Sequence, residues 1–369
     1  MDHPIRAAIL PDYGEPVIIS EVLLDNPGPH EVLVEMRASG VCHSDWHAIT
    51  GHLPLPVPLV LGHEGAGIVS TVGAQVTRVA PGDHVVLSWT PNCGVCRWCL
   101  NGQPELCDRA NASAVNGTLP SGAQRVVWQG RRIHTFSATG TLADFAVVSE
   151  ESVIPIPPHL PFDEAALLGC AVMTGVGSAF HAPIRPGDAV LVIGSGGVGL
   201  NIVQGAKIRG AARIIVVDPS AVNRALALSL GASLVIDPND DDPLSAILDV
   251  THDDGVDVAF DAVGDPELLA LAFNATRRGG TAVAVGVPLP NVNVAINALA
   301  VVSQEKTLTG SWYGHSFPPR DIPRLVTLWE HGMLQLAPII QRRYGLEHIA
   351  EAFDDIASTR GGRSVIVWS

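Results

Sequence analysis

The hydrophobic and polar positions divide the chain into two unlike regions. Through about the first 170 residues the apolar runs are short and broken by turn residues. Glu31-Val32-Leu33-Val34-Glu35-Met36 and His84-Val85-Val86-Leu87 read as strands between Asn26-Pro27-Gly28-Pro29, Pro54-Leu55-Pro56-Val57-Pro58 and Pro81-Gly82-Asp83. Short β-rich runs bounded by Pro and Gly clusters predict an irregular, barrel-like all-β unit. After Arg185-Pro186-Gly187-Asp188 the texture changes. Continuous apolar stretches at 189–193, 214–217, 256–260 and 281–285 alternate with helical periodicity at 198–210 and 223–230. That alternation predicts an α/β unit, a doubly wound parallel sheet. A helix over 322–331 and a last strand over 364–368 fall outside it, and no internal repeat is present.

Composition sharpens this picture in three ways. With 47% apolar and 16% charged residues in 369, the chain can fill more than one core and is not a disordered segment. The balance of 22 basic against 37 acidic residues, a net charge of −15, repels phosphate backbones and counts against a nucleic-acid partner. No apolar run reaches the roughly 18 residues of a membrane span. The start, Met1-Asp2-His3-Pro4, lacks the basic and apolar regions of a secretory leader, so a cytoplasmic chain without a membrane partner is expected.

Two motifs carry chemistry by spacing alone. Gly194-Ser195-Gly196-Gly197-Val198-Gly199 fits G-x-G-x-x-G between a strand and a helix, where glycines let a pyrophosphate approach free backbone N–H groups. Asp218, nineteen residues after Gly199, ends the next strand; a carboxylate there accepts ribose hydroxyls and repels a 2′-phosphate, which predicts NAD over NADP. Cys93-x2-Cys96-x2-Cys99-x7-Cys107 is a metal spacing. Four thiolates make a closed tetrahedral zinc site with no open position, hence a structural one, pinning a lobe over about 90–110 that has few apolar residues of its own. A second site has to be gathered from distant residues: Cys42 in Cys42-His43-Ser44-Asp45, His63 beside Glu64, and Cys170 in Leu168-Gly169-Cys170. Two thiolates and an imidazole would neutralise Zn²⁺ and leave a fourth position open. From these residues alone, Cys170 as a small buried hydrophobe stays open as the alternative.

Taken together, Gly40-Val41-Cys42-His43-Ser44-Asp45, Gly62-His63-Glu64-Gly65-Ala66-Gly67, the four-cysteine lobe, Leu168-Gly169-Cys170, the glycine turn and Asp218 resemble the zinc-dependent medium-chain alcohol dehydrogenases over essentially the whole chain. The resemblance implies a GroES-like β-barrel catalytic domain at 1–171 and 313–369 and a Rossmann NAD-binding domain at 172–312, with the active site in the cleft between them. It implies two zincs per chain: a catalytic one on Cys42, His63 and Cys170, and a structural one on Cys93, Cys96, Cys99 and Cys107. Asp45 would orient His63, and Glu64 would lie behind the metal. Ser44 and His47 would relay the alcohol proton to solvent. His43 and Arg363 would reach the pyrophosphate, and Val263, Gly264 and Val287 would flank the cofactor.

By the same resemblance Trp46, Leu53, Trp89, Phe136, Val287 and Trp312 line the substrate pocket, whose aromatic content suits aromatic or medium-chain alcohols and aldehydes. The glutathione-dependent formaldehyde subfamily carries an acid after the Thr50-Gly51 turn and an Arg beyond the last lobe cysteine; this chain has His52-Leu53 and Asn111, which counts against that substrate. The long stretch 108–139 is similar to that of the dimeric branch, with 295–312 expected to pair across the dimer. Short stretches such as Gly94-Val95-Cys96-Arg97-Trp98-Cys99 are similar also to nicotinoproteins, in which NAD stays bound and a second carbonyl or artificial acceptor takes the hydride. A non-catalytic NAD-binding scaffold is the reading from another class, opposed by the full set of ligands and relay groups.

Overall fold

The computed structural model describes residues 3–358 and 360–368. Three sheets organise it. A closed barrel runs through His3–Leu10, Ile18–Leu24, Val126–Trp128, Arg131–Thr135 and Leu59–Val60. Beside it lies a seven-stranded sheet in the order Val153–Pro155, His84–Leu87, Glu64–Val72, Glu31–Gly40, Arg363–Val367, Ile340–Tyr344, with Phe145–Ser149 also paired to Glu31–Gly40. The third sheet is six-stranded and wholly parallel: Leu234–Ile236, Arg213–Val217, Ala189–Ile193, Val256–Asp261, Thr276–Ala284, Thr307–Gly310. Its first strand in the chain is third in space, so strand order reverses beside Ala189–Ile193, where open α/β sheets keep their ligand crevice.

The β-rich and α/β halves therefore stand as the hydrophobic pattern predicts, and the fold is a Rossmann sheet joined to a GroES-like barrel. The first half is less purely β than its turns suggest. Helices His43–Ile49, Asp108–Asn116 and Phe162–Leu168 interrupt it, and Ala171–His181 follows at once. Ala171–His181 is buried along most of its length, so it lacks the polar face that makes a helix visible in sequence. The late helix starts at Pro318 rather than 322, with proline at its first position, where the missing N–H costs nothing.

Register matters most at the seam. Val365 pairs with Gly40, and Gly40 pairs on its other side with Glu64. The last strand thus delivers Arg363 to the same neighbourhood as the Cys42 and His63 segments. Among the described residues no helix is long and apolar enough to cross a membrane.

Candidate active site and metal centres

Cys42 caps the helix His43–Ile49 in extended conformation, and Asp45, one turn in, holds the assembly. Asp45 Oδ2 accepts the Cys42 N–H at 3.2 Å and Oδ1 accepts the Gly62 N–H at 2.9 Å. Oδ2 also lies 3.4 Å from His63 Nδ1. One buried carboxylate therefore fixes both the helix that presents Cys42 and the loop that presents His63. Cys170 arrives between Phe162–Leu168 and Ala171–His181. Cys42, His63, Glu64 and Cys170 each offer one donor atom, and the four atoms lie within 4.8 Å of one another.

The electrostatics of this cluster call for a cation. The contact with Cys170 pushes the Cys42 thiol well down, and the same contact pushes Cys170 well up, so the pair resists carrying two negative charges. Burial works to lower His63, but the Asp45 carboxylate and the Cys42 thiolate outweigh it and hold the imidazole well above its usual range. Glu64 is pushed up to about 7 by burial, against the pull of the Arg363 charge. Two sulfurs that cannot both ionise alone, with one imidazole beside them, form a donor set that fits a zinc with an open position.

The lobe cysteines form the second cluster. Their four sulfurs lie within 4.8 Å of one another, and none is in a disulfide. Cys96 Sγ and Cys99 Sγ are 3.7 Å apart and Cys93 Sγ and Cys99 Sγ 4.0 Å. A tetrahedral zinc with bonds of about 2.3 Å would set its sulfurs about 3.8 Å apart, so the donors fit that ion. Backbone N–H groups already point at the sulfurs: Val95 and Cys96 donate to Cys93 Sγ and Cys93 donates to Cys107 Sγ. The Cys96 thiol is drawn down to about 6, first by the Cys99 N–H, whereas burial pushes Cys99 and Cys107 up.

At the mouth of the parallel sheet, Ile193 pairs with both Val217 and Asp261, so the glycine turn and Asp218 leave adjacent strands side by side. Gly194 adopts φ 81°, and a Cβ on Gly199 would overlap the Gly194 carbonyl oxygen, so both positions require glycine. Gly196 faces open space. The N–H groups of Gly197, Val198 and Gly199, in the first turn of Gly197–Ile208, have no carbonyl one turn back. Asp218 accepts from Ser195 N at 2.7 Å, Ser195 Oγ at 3.0 Å, Ser220 N at 2.8 Å and Asn223 Nδ2 at 3.2 Å. Val263 Cγ2 lies over Gly194, and the Val287 carbonyl lies against Gly264. The turn has the shape and free donors of a dinucleotide cradle.

Arg363 joins this cradle to the first cluster. Its Nη2 donates to Glu64 Oε2, while its Cδ lies against Gly197. It is buried.

His43 is exposed and Ser44 half-buried, with Ser44 Oγ 3.8 Å from Cys42 Sγ. The His47 ring lies 6.1 Å from that of His43 and 5.8 Å from that of His52. Phe136 meets the His63 ring edge-on at 4.9 Å, with Trp46 and Leu53 packed against the same core as Phe136. Trp89 and Trp312 pack edge-to-face at 5.6 Å. Val287 is partly exposed beside Gly264.

With this geometry in hand, the relatives are informative. Residues 28–158 match the family Alcohol dehydrogenase GroES-like domain and residues 197–330 match Zinc-binding dehydrogenase. An NDMA-dependent alcohol dehydrogenase of Amycolatopsis methanolica is 39% identical over 368 residues, covering 99% of each chain. The chain belongs to the zinc-dependent medium-chain alcohol dehydrogenases. It is an oxidoreductase. Among solved members of this family, the benzyl alcohol dehydrogenase of Acinetobacter calcoaceticus superposes with a TM-score of 0.94 at 30% identity over 100% of both chains. A zinc-binding dehydrogenase relative from Sinorhizobium meliloti 1021, solved with NADP bound, gives 0.83 at 27% identity over 99% of this chain and 100% of its own.

Three residues of this alcohol dehydrogenase site receive no role from motif reading. Gly40 leaves room for Glu64, since a Cβ there would overlap Glu64 Oε2. Asn223 donates to Asp218 and accepts the Gly362 N–H at 2.9 Å, tying the Asp218 end of the cradle to the segment that carries Arg363. Tyr313 Oη donates to the Gly169 carbonyl at 2.6 Å, beside Cys170. Only Gly40, inside a recognisable motif, left any trace in the sequence.

Proposed function

We propose that the chain oxidises a primary alcohol, aromatic or bulky and medium-chain aliphatic, to its aldehyde, or runs the reverse, by hydride transfer to NAD. The observation that carries this is the convergence of Cys42, His63 and Cys170 at the end of the crevice that the glycine turn opens, with Arg363 spanning the two. Cys42, His63 and Cys170 would hold the catalytic zinc and the four lobe cysteines a structural one, two per chain. When bound, the zinc polarises the alcohol oxygen and NAD takes the hydride. Asp45 orients His63. Ser44 and His47 carry the alcohol proton outward from the oxygen. Gly194 to Gly199 and His43 bind the pyrophosphate with Arg363, and Asp218 receives the adenosine ribose and disfavours a 2′-phosphate, although one relative was solved with NADP. Val263, Gly264 and Val287 flank the cofactor. Trp46, Leu53, Trp89, Phe136 and Trp312 exclude water around the substrate, consistent with the benzyl alcohol dehydrogenase relative. The catalytic domain is assigned to 1–171 and 313–369 and the cofactor domain to 172–312, in a cytoplasmic homodimer.

The test is initial-rate NADH formation with excess NAD on benzyl alcohol, hexanol, ethanol and glutathione-linked formaldehyde. Turnover greatest with benzyl alcohol or hexanol is expected; preference for the glutathione adduct would overturn the substrate assignment. A second reading, NAD held permanently with an external acceptor, is favoured by the NDMA-dependent relative. It predicts no NADH release, yet reduction of an added dye or aldehyde.

A further inference from the structure

The lobe touches the pocket through a contact that zinc binding does not require. Glu105 sits in the turn Pro104–Leu106, between Cys99 and Cys107, and is 4% exposed. Its Oε1 lies 3.5 Å from His315 Nδ1, and its Oε2 has no hydrogen-bond partner. A sealed carboxylate with an unpaired oxygen depends on whatever cation it has. His315 Nε2 faces the Gly310 carbonyl at 3.1 Å, so an acceptor oxygen lies near each ring nitrogen. The contact with Glu105 raises its pKa accordingly. The His181 ring covers it at 5.2 Å.

His315 ends an unusual turn. Tyr313, Gly314 and His315 have φ of 50°, 68° and 53°, and two of the three carry a Cβ. Side-chain residues stay in that region only where contacts hold them. Inward, Tyr313 Oη is fixed on Gly169 and faces Ser88 Oγ at 3.2 Å. Outward, the His315 side chain meets the Gly310 carbonyl, the His181 ring and Glu105, and of these only Glu105 belongs to the cysteine lobe. Trp312 directly precedes this turn, is 45% exposed, and meets Trp89 edge-on.

We propose that Glu105 and His315 are positioning residues through which the cysteine lobe sets the placement of Trp312, and thereby the size of alcohol the pocket accepts. The proposal rests on the pocket assignment given above. Loss of either partner frees the outer end of the 313–315 turn and lets Trp312 leave Trp89, while the Cys42, His63 and Cys170 cluster stays anchored through Asp45 and Gly169.

The test uses the full-length, zinc-loaded protein with Glu105→Gln, His315→Gln and the double variant. The ratio of kcat/KM for benzyl alcohol to that for ethanol should fall roughly tenfold in each single variant, the scale on which one apolar contact discriminates substrates. It should fall little further in the double variant, because one contact is broken twice. Zinc content should be unchanged, and the shift in tryptophan emission caused by His315→Gln should vanish in a Trp312→Phe background. An unchanged ratio in His315→Gln, or independent losses that multiply in the double variant, overturns the proposal. So does zinc loss in Glu105→Gln with His315→Gln silent, which would confine Glu105 to the lobe. If the unsubstituted protein oxidises neither alcohol, the functional assignment fails instead. The emission comparison then decides the coupling alone: a Trp312-dependent shift sustains it and no shift overturns it.

Discussion

Arg363 donates to the Glu64 carboxylate across 299 residues of chain, in a place where their side chains are 7% and 0% exposed. Burying two charges is costly, and removing one partner leaves the other uncompensated. Arg363→Ala should therefore lower unfolding free energy by roughly 3–5 kcal/mol in denaturant titrations of the zinc-loaded protein. Adding Glu64→Gln should restore much of that loss. Equal stability of Arg363→Ala and the unsubstituted protein would show that the pair is not coupled.

Asp218, at the strand end beside the glycine turn, accepts from Ser195, Ser220 and Asn223. Asp218→Ser should raise the ratio of kcat/KM for NADP to that for NAD by roughly tenfold or more, as the repulsion of a 2′-phosphate is lost. An unchanged ratio would remove Asp218 from cofactor selection.

The two sulfur clusters should separate by zinc content. Cys96→Ser should leave one zinc per chain instead of two and lower the melting temperature, because the lobe would then lose one of the four converging thiols that fit the ion. Cys170→Ser should lose the other zinc and activity. Two zincs retained in Cys96→Ser would refute a metal at the lobe.

Burial, with the His43 and His52 rings close by, holds His47 below its ordinary value of 6.5. A lowered base is already neutral at pH 7 and can accept a proton, so kcat should be flat there and fall only as pH drops through that lowered value. His47→Gln should erase this limb and reduce kcat by roughly a hundredfold, the lower end of general acid–base contributions. An unchanged pH profile would take His47 out of the proton path.

The edge strand Thr307–Gly310 is exposed at every position, and the preceding helix Ala298–Ser303 turns Leu299 and Val302 to solvent. If two copies join their sheets here, Leu308→Arg should halve the sedimenting mass. Unchanged mass would place the interface elsewhere.

What the sequence determined by itself was local. The glycine turn, the distance to Asp218 and the spacing of the four lobe cysteines are legible because backbone conformation and ligand reach act within one turn or one βαβ unit. The apolar runs of the parallel sheet were legible for a similar reason, since strands buried on both faces carry mainly apolar side chains. The helix Ala171–His181 was not, because burial on all sides erased its periodicity. Tertiary structure alone decided what distant residues do together. It made Cys170 a partner of Cys42 instead of a small core residue, aimed Arg363 at Glu64 through the room left by Gly40, and set Glu105 against His315. None of these pairs shares a period or a motif. They meet because strand register and helix packing carry them there, and their charges become consequential only once water is excluded.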